Sequence, residues 1–168
     1  GIQIRLREYK RGLEVLAEAE ILAQGLGDRP GEAQIMLRQG IAHKARGEYD
    51  RALERYERAE ALARDVKHHR TLSMILGRRA QLHYARGEHD EALSRFFSAI
   101  DECRSIGYEH SAQPWLVGAA SLLLDVIHDV SEMPPFLVSI LPDLSPSAGQ
   151  SWRADVAHRA RQLVDDSI

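Results

Sequence analysis

Two arginines forty residues apart, Arg38 and Arg78, are the side chains in this 168-residue sequence best equipped to meet an anion. A guanidinium presents a planar fork of donors that can engage a carboxylate bidentately, and it stays charged at any physiological pH. Their surroundings reinforce the reading. From Lys67 to Arg86 there is no acidic residue, while Lys67, Arg70, Arg78, Arg79 and Arg86 are basic. The stretch near 30–46 sets Glu32 against Arg38, Lys44 and Arg46. Between and after these lie acidic stretches. Glu48, Asp50, Glu54, Glu57, Glu60 and Asp65 outweigh Arg51, Arg55, Arg58 and Arg64, and Glu88, Asp90, Glu91, Asp101 and Glu102 outweigh Arg95 and Arg104.

Other reactive side chains are not arranged for catalysis. His68 and His69 are adjacent, so on a helix they project in different directions, and neither has a Cys or acidic co-ligand nearby. His43 and His83 recur forty residues apart, which marks them as architectural positions. His89 stands where the other copy has Tyr49 and is read as packing. Cys103, the only cysteine, falls on an apolar face without a local His/Asn context and is read as a small core residue. Asp165 and Asp166 lie at a terminus expected to fray. No glycine-rich phosphate loop or nucleophile elbow is present. The expectation is therefore a non-enzyme with no catalytic residue, no metal and no cofactor.

The bulk numbers agree. A net charge of −3 offers no global attraction to nucleic acid or membrane. Aromatic residues at 6% leave few stacking platforms for bases, so nucleic acid is not expected as a partner. A single cysteine forbids an intrachain disulfide and points to a reducing, cytoplasmic setting. No apolar run approaches a membrane span. Arg5, Arg7, Lys10 and Arg11 interrupt anything like a signal peptide.

What positions the arginines is an internal repeat. Ala45-Arg46-Gly47-Glu48-Tyr49-Asp50-Arg51-Ala52-Leu53-Glu54-Arg55 returns as Ala85-Arg86-Gly87-Glu88-His89-Asp90-Glu91-Ala92-Leu93-Ser94-Arg95. A fixed period of this size implies stacked supersecondary units, none able to bury its apolar face alone. Ala52, Tyr56, Ala59 and Ala63 fall on one helical face, and Ala92, Phe96, Ala99 and Cys103 repeat it. The spacing predicts antiparallel helix pairs, 30–46 with 49–66 and 69–86 with 89–106. Pro30 suits a first turn, Gly47 and Gly87 suit left-handed helix ends, and Asp50 and Asp90 suit helix N-termini.

The expected organisation is one all-α domain over 1–168. A partial repeat occupies 1–29, full repeats 30–68 and 69–108, a degenerate repeat 109–141, and a loop with a capping helix 142–168. In the first of these, Ile2–Leu6 reads as the stub of a missing helix, so the sequence is expected either to be a piece of a longer chain or to open on an unpaired helix. Pairing with a second copy through this N-terminal edge is one expected way of hiding apolar surface. A helix over 112–130 carries Trp115, Leu116, Ala119, Ala120 and Leu123 on its apolar side. An apolar stretch at 136–141 and a Pro/Ser/Gly loop at 142–149 follow. The last helix, about 150–166, sets Trp152, Val156, Ala160 and Leu163 on one side, to cap the array or to fold back and regulate it.

Gly40, Gly47, Ala52, Tyr56 and Ala59, then Ala80, Gly87, Ala92, Phe96 and Ala99, resemble the pattern of tetratricopeptide repeats over about residues 33–106. The resemblance departs at His43 and His83, where that family usually has an aromatic, and in a period of 40 rather than 34. It implies a right-handed α-α superhelix whose first helices line a concave face, here basic, with an acidic convex outside. The residues then expected on the inner face are Gln34, Arg38, Ile41 and Ala45, followed by Met74, Arg78, Gln81 and Tyr84. The implied role is binding of a peptide or protein segment, an acidic one by charge, within a larger regulator or scaffold. The alternative is a sensor domain for a small peptide or metabolite in a bacterial signalling or transcription regulator.

Overall fold

Left-handed residues recur along the chain every twenty positions and divide it into helices of nearly equal length. Gly27, Gly47, Gly87 and Gly107 have φ of 69°, 77°, 75° and 68°, and Lys67 holds the same place with φ 53°. At each of the five, the left-handed residue donates its N–H three residues back, and the next residue donates to the carbonyl five back. Gly47 bonds Lys44 and Glu48 bonds His43; Lys67 bonds Arg64 and His68 bonds Ala63. This Schellman geometry satisfies carbonyls that a helix end otherwise leaves orphaned.

The computed structural model describes residues 2–129 and 151–165, and among them every regular element is a helix. The helices are α1 (Ile2–Leu26), α2 (Arg29–Ala45), α3 (Tyr49–Asp65), α4 (His69–Ala85), α5 (His89–Ser105), α6 (Glu109–Asp129) and α7 (Ser151–Asp165). The helices expected over 30–46, 49–66, 69–86 and 89–106 are α2, α3, α4 and α5, each boundary within a residue or two, and α2 packs on α3 as expected. The apolar stretch and loop expected at 136–149 lie outside the described residues. Ile2–Leu6 is not a separate stub: it runs unbroken into α1, because nothing between it and Leu26 stops a helix. The fourth-repeat helix starts at Glu109, earlier than 112, and carries Pro114 inside it. Pro114 removes the bond to the His110 carbonyl, tolerable where His110 is exposed to water.

The chain forms two compact units, Gly1–Leu82 and His83–Ile168. In the first, α1 packs on α2 and α2 on α3. Ala52, Tyr56, Ala59 and Ala63 of α3 are fully buried, as the spacing predicts. Tyr56 packs directly against Gly40: a Cβ there would fall 2.6 Å from Tyr56 Cδ1, so glycine permits the approach. In the second unit, α5 packs on α6 and α6 on α7. Phe96 fills the corresponding aromatic position and meets Gly118, where a Cβ would fall 2.6 Å from Phe96 Cε1. Ala92, Ala99 and Cys103 are buried beside it, and Val156, Ala160 and Leu163 of α7 are buried too.

At four of the five links the residue after the left-handed position caps the next helix or clamps the link. Asp28 Oδ1 accepts the Gly31 amide at 3.0 Å, and His68 Nδ1 accepts the Thr71 amide at 3.3 Å. Glu48 and Glu88 instead turn back on the preceding helix. His43 Nδ1 donates to Glu48 Oε2 at 2.6 Å and His83 Nδ1 to Glu88 Oε2 at 2.5 Å. Arg46 and Arg86 add ion pairs to the same carboxylates, each at 3.0 Å. This is what the recurrent histidines do.

Two predictions follow from these links. Lys67→Gly relieves a left-handed side chain and should raise stability by up to about 1 kcal/mol, whereas Gly47→Ala should lower it by about 1–2 kcal/mol. Urea titrations of both variants check the opposite signs. The hydrogen bond from His43 is the main reason Glu48 titrates below 4.5, and the bond from His83 does the same for Glu88. A depressed folded-state pKa contributes stability above the unfolded value that disappears as pH falls through the folded one. Melting temperature should therefore drop as pH falls below about 4.5, and less steeply in a Glu48→Gln/Glu88→Gln variant.

Candidate functional site

Between α2 and α4, within the first unit, lies an open cleft of about 490 Å³. Its α2 wall is Gln34, Leu37, Arg38 and Ile41, a run of i, i+3, i+4 and i+7 that a helix places on one face. The opposite wall is Arg70, Thr71 and Met74 of α4, with His68 from the link before it. Leu37, Ile41 and Met74 give an apolar floor, and Arg38 and Arg70 stand exposed at the rim. Arg38 makes no ion pair among the described residues. His68 Nδ1 accepts the Thr71 amide, so that nitrogen carries no proton and Nε2 is the donor of a neutral ring.

Four of the eight residues expected on the inner face, Gln34, Arg38, Ile41 and Met74, thus share one cleft. The other four sit elsewhere, Ala45 exposed at the end of α2. Arg78 is half-buried and donates from Nη1 to Gln81 Oε1 at 3.1 Å. Tyr84, in the second unit, donates its hydroxyl to Asp125 and stands edge-on to His89, ring centroids 6.3 Å apart. Leu37, His68, Arg70 and Thr71 were missed because sequence reasoning matched positions forty apart. The cleft sets residues 34–41 of α2 against 68–74, an axial stagger of roughly two turns that period counting does not reveal. Arg70 was visible as part of the acid-free run, but not its place at the rim.

The basic and acidic layers also need correction. Arg79, counted among the basic face, is buried and donates to Glu60 and, at 3.2 Å, to Glu57. Glu60, expected outside, is 5% exposed and also pairs with Arg64 at 2.8 Å. The position is one of contact between successive helix pairs. Its counterpart forty residues earlier is Glu20, which accepts from Gln39 at 2.8 Å and from Arg55 at 3.3 Å. Some of the apparent surface charge is therefore interior glue.

Cations cluster near the cleft: Arg38 and Arg70 line it, and Lys44 and Arg78 lie close enough to feel each other's charge. Burial, and then the charge of Arg78, hold the Lys44 ammonium below its usual range. Beneath them Tyr56 is fully buried, its hydroxyl bonded to nothing among the described residues, and burial pushes its pKa up to about 12. Among the described residues no group of three or more His, Cys, Asp or Glu could hold a metal ion, and no helix is long and apolar enough to cross a membrane.

Searches against protein-family models, curated proteins and solved structures return no match.

An unpartnered buried hydroxyl costs stability, and its removal restores it. Tyr56→Phe should leave the fold unchanged or stabilise it by up to about 1 kcal/mol, as the Phe96 position suggests. A lower urea midpoint would show that the hydroxyl has a partner.

Proposed function

We propose that the chain is a protein-interaction module of tetratricopeptide-repeat type. Its α2–α4 cleft takes an extended segment that carries an acidic side chain next to an aliphatic one. The observation that carries this is the cleft's composition: two exposed arginines at the rim over a floor of Leu37, Ile41 and Met74. Charge-assisted bonds to Arg38 and Arg70 orient the segment, and burial of its aliphatic group over the floor supplies most of the free energy. The acid-free run 67–86 adds long-range attraction that salt screens. Arrays of stacked helix pairs present such surfaces to partners, and nothing in the cleft calls for catalysis. The natural setting for such a module is a larger regulator or scaffold in the cytoplasm.

A second reading draws on the cleft's size. About 490 Å³ is within the range of small-ligand sites, which fits a sensor for a short peptide or metabolite.

The test is fluorescence anisotropy with a labelled hexapeptide library built on Glu-Leu and the matching Gln-Leu set. Glu peptides should bind wild type, and Arg38→Glu/Arg70→Glu should weaken them at least about tenfold, or 1.4 kcal/mol, with helicity intact. Equal binding of the Glu and Gln sets, or indifference to the double substitution, sinks the interaction reading. Saturation by a single free dicarboxylic amino acid would favour the sensor.

A further inference from the structure

Helix α1 carries an apolar seam that none of the described residues covers, and the seam has the form of both a lock and its own key. Val15, Leu22 and Leu26 are 57%, 67% and 83% exposed. Their spacing, with Gly12 before them and Ala19 between, is that of alternating a and d positions in a heptad: Gly12, Ala19 and Leu26 at a, Val15 and Leu22 at d. At one end of the seam is a hollow of about 440 Å³ lined by Glu8, Arg11, Gly12 and Val15, with Leu16 and Arg38 at its side. The first four are i, i+3, i+4 and i+7, the set that forms the hole for a knob from a facing helix. Gly12 opens it: a Cβ built there meets nothing within 4 Å. At the other end Leu22 and Leu26 project as knobs.

We infer that α1 is a self-association surface on which a second copy of this chain docks through its own α1, antiparallel and about a two-fold axis. One register places Leu22 of each copy in the other's hollow above Gly12, sets Val15 against Ala19, and brings Leu26 to Glu8. The overlap, residues 8–26, is about 28 Å of helix. Such reciprocity is what a two-fold interface requires. A parallel pair would set Leu22 against Leu22 and hollow against hollow, leaving the space unfilled.

Charge selects the same orientation. Arg7, Lys10 and Arg11 are exposed near the start of α1, and its last turn contains no basic residue. An antiparallel copy brings Arg11, which flanks the seam, alongside the negative end of the partner helix's dipole, with Asp28 just beyond. A parallel copy would set the cations against one another. One feature opposes docking: Glu18 falls near the two-fold axis and faces its own copy, a like-charge contact that limits affinity.

The experiment is sedimentation velocity of the full chain over a concentration series, with circular dichroism of each variant. Leu22 is mostly exposed and a Cβ at Gly12 meets nothing within 4 Å, so helicity should hold in Leu22→Lys and Gly12→Ile. Each should weaken the dimer roughly ten- to hundredfold, by losing a buried leucine or filling its socket. Glu18→Gln should tighten it. A wild-type monomer at every concentration, a dimer indifferent to Leu22→Lys and Gly12→Ile, or one that Glu18→Gln weakens, overturns the inference.

Discussion

The rest of the structure depends on the left-handed link. A helix ends cleanly only if its last carbonyls find donors, and one residue with positive φ followed by a turn back provides two. Here that device recurs every twenty residues, at Gly27, Gly47, Lys67, Gly87 and Gly107, so helices α2 to α5 all have seventeen residues. Equal lengths keep the apolar stripes in phase. Within the first unit this lets Tyr56 settle over Gly40; within the second, Phe96 meets Gly118. The His43–Glu48 and His83–Glu88 pairs then tie each link to the helix it ends.

Between successive pairs, polar contacts set the register. Glu20 with Gln39 and Glu60 with Arg79 are the same contact one period apart, each joining residues nineteen positions from one another. The third occurrence of these positions is Ile100 and Ala119, both buried and apolar. A buried ion pair seldom adds much net stability, since desolvation offsets most of the attraction. What Glu60 and Arg79 contribute is a penalty for misalignment: a shift of either helix would leave a buried charge alone. Where Ile100 and Ala119 replace them, packing alone must hold the register.

Most of the fold was legible because burial repeats. Ala52, Tyr56, Ala59 and Ala63, and their counterparts on α5, could be placed in the core by spacing alone, since an amphipathic helix has one dry face. The Gly47 and Gly87 links were legible because only glycine enters the left-handed region without strain. Lys67 was not, for the same reason: its side chain is the exception that a search for glycine passes over. The site was half legible. Gln34, Arg38, Ile41 and Met74 were placed by periodicity, whereas Leu37, His68, Arg70 and Thr71 depend on how far one helix slides along another.

By itself, then, the sequence determined the class of fold, the lengths of α2 to α5 and which face of each is dry, because those follow from local periodicity and backbone sterics. Only the tertiary structure decided which charges remain on the surface. Arg79 and Glu60 look like any exposed pair until the packing of α3 on α4 buries them, and Arg70 looks like any other cation until the stagger of α4 against α2 carries it to the rim of the cleft. Neighbours in space across two helices are fixed by axial offset and crossing angle, which depend on the summed packing of many side chains and leave no periodic trace in one chain.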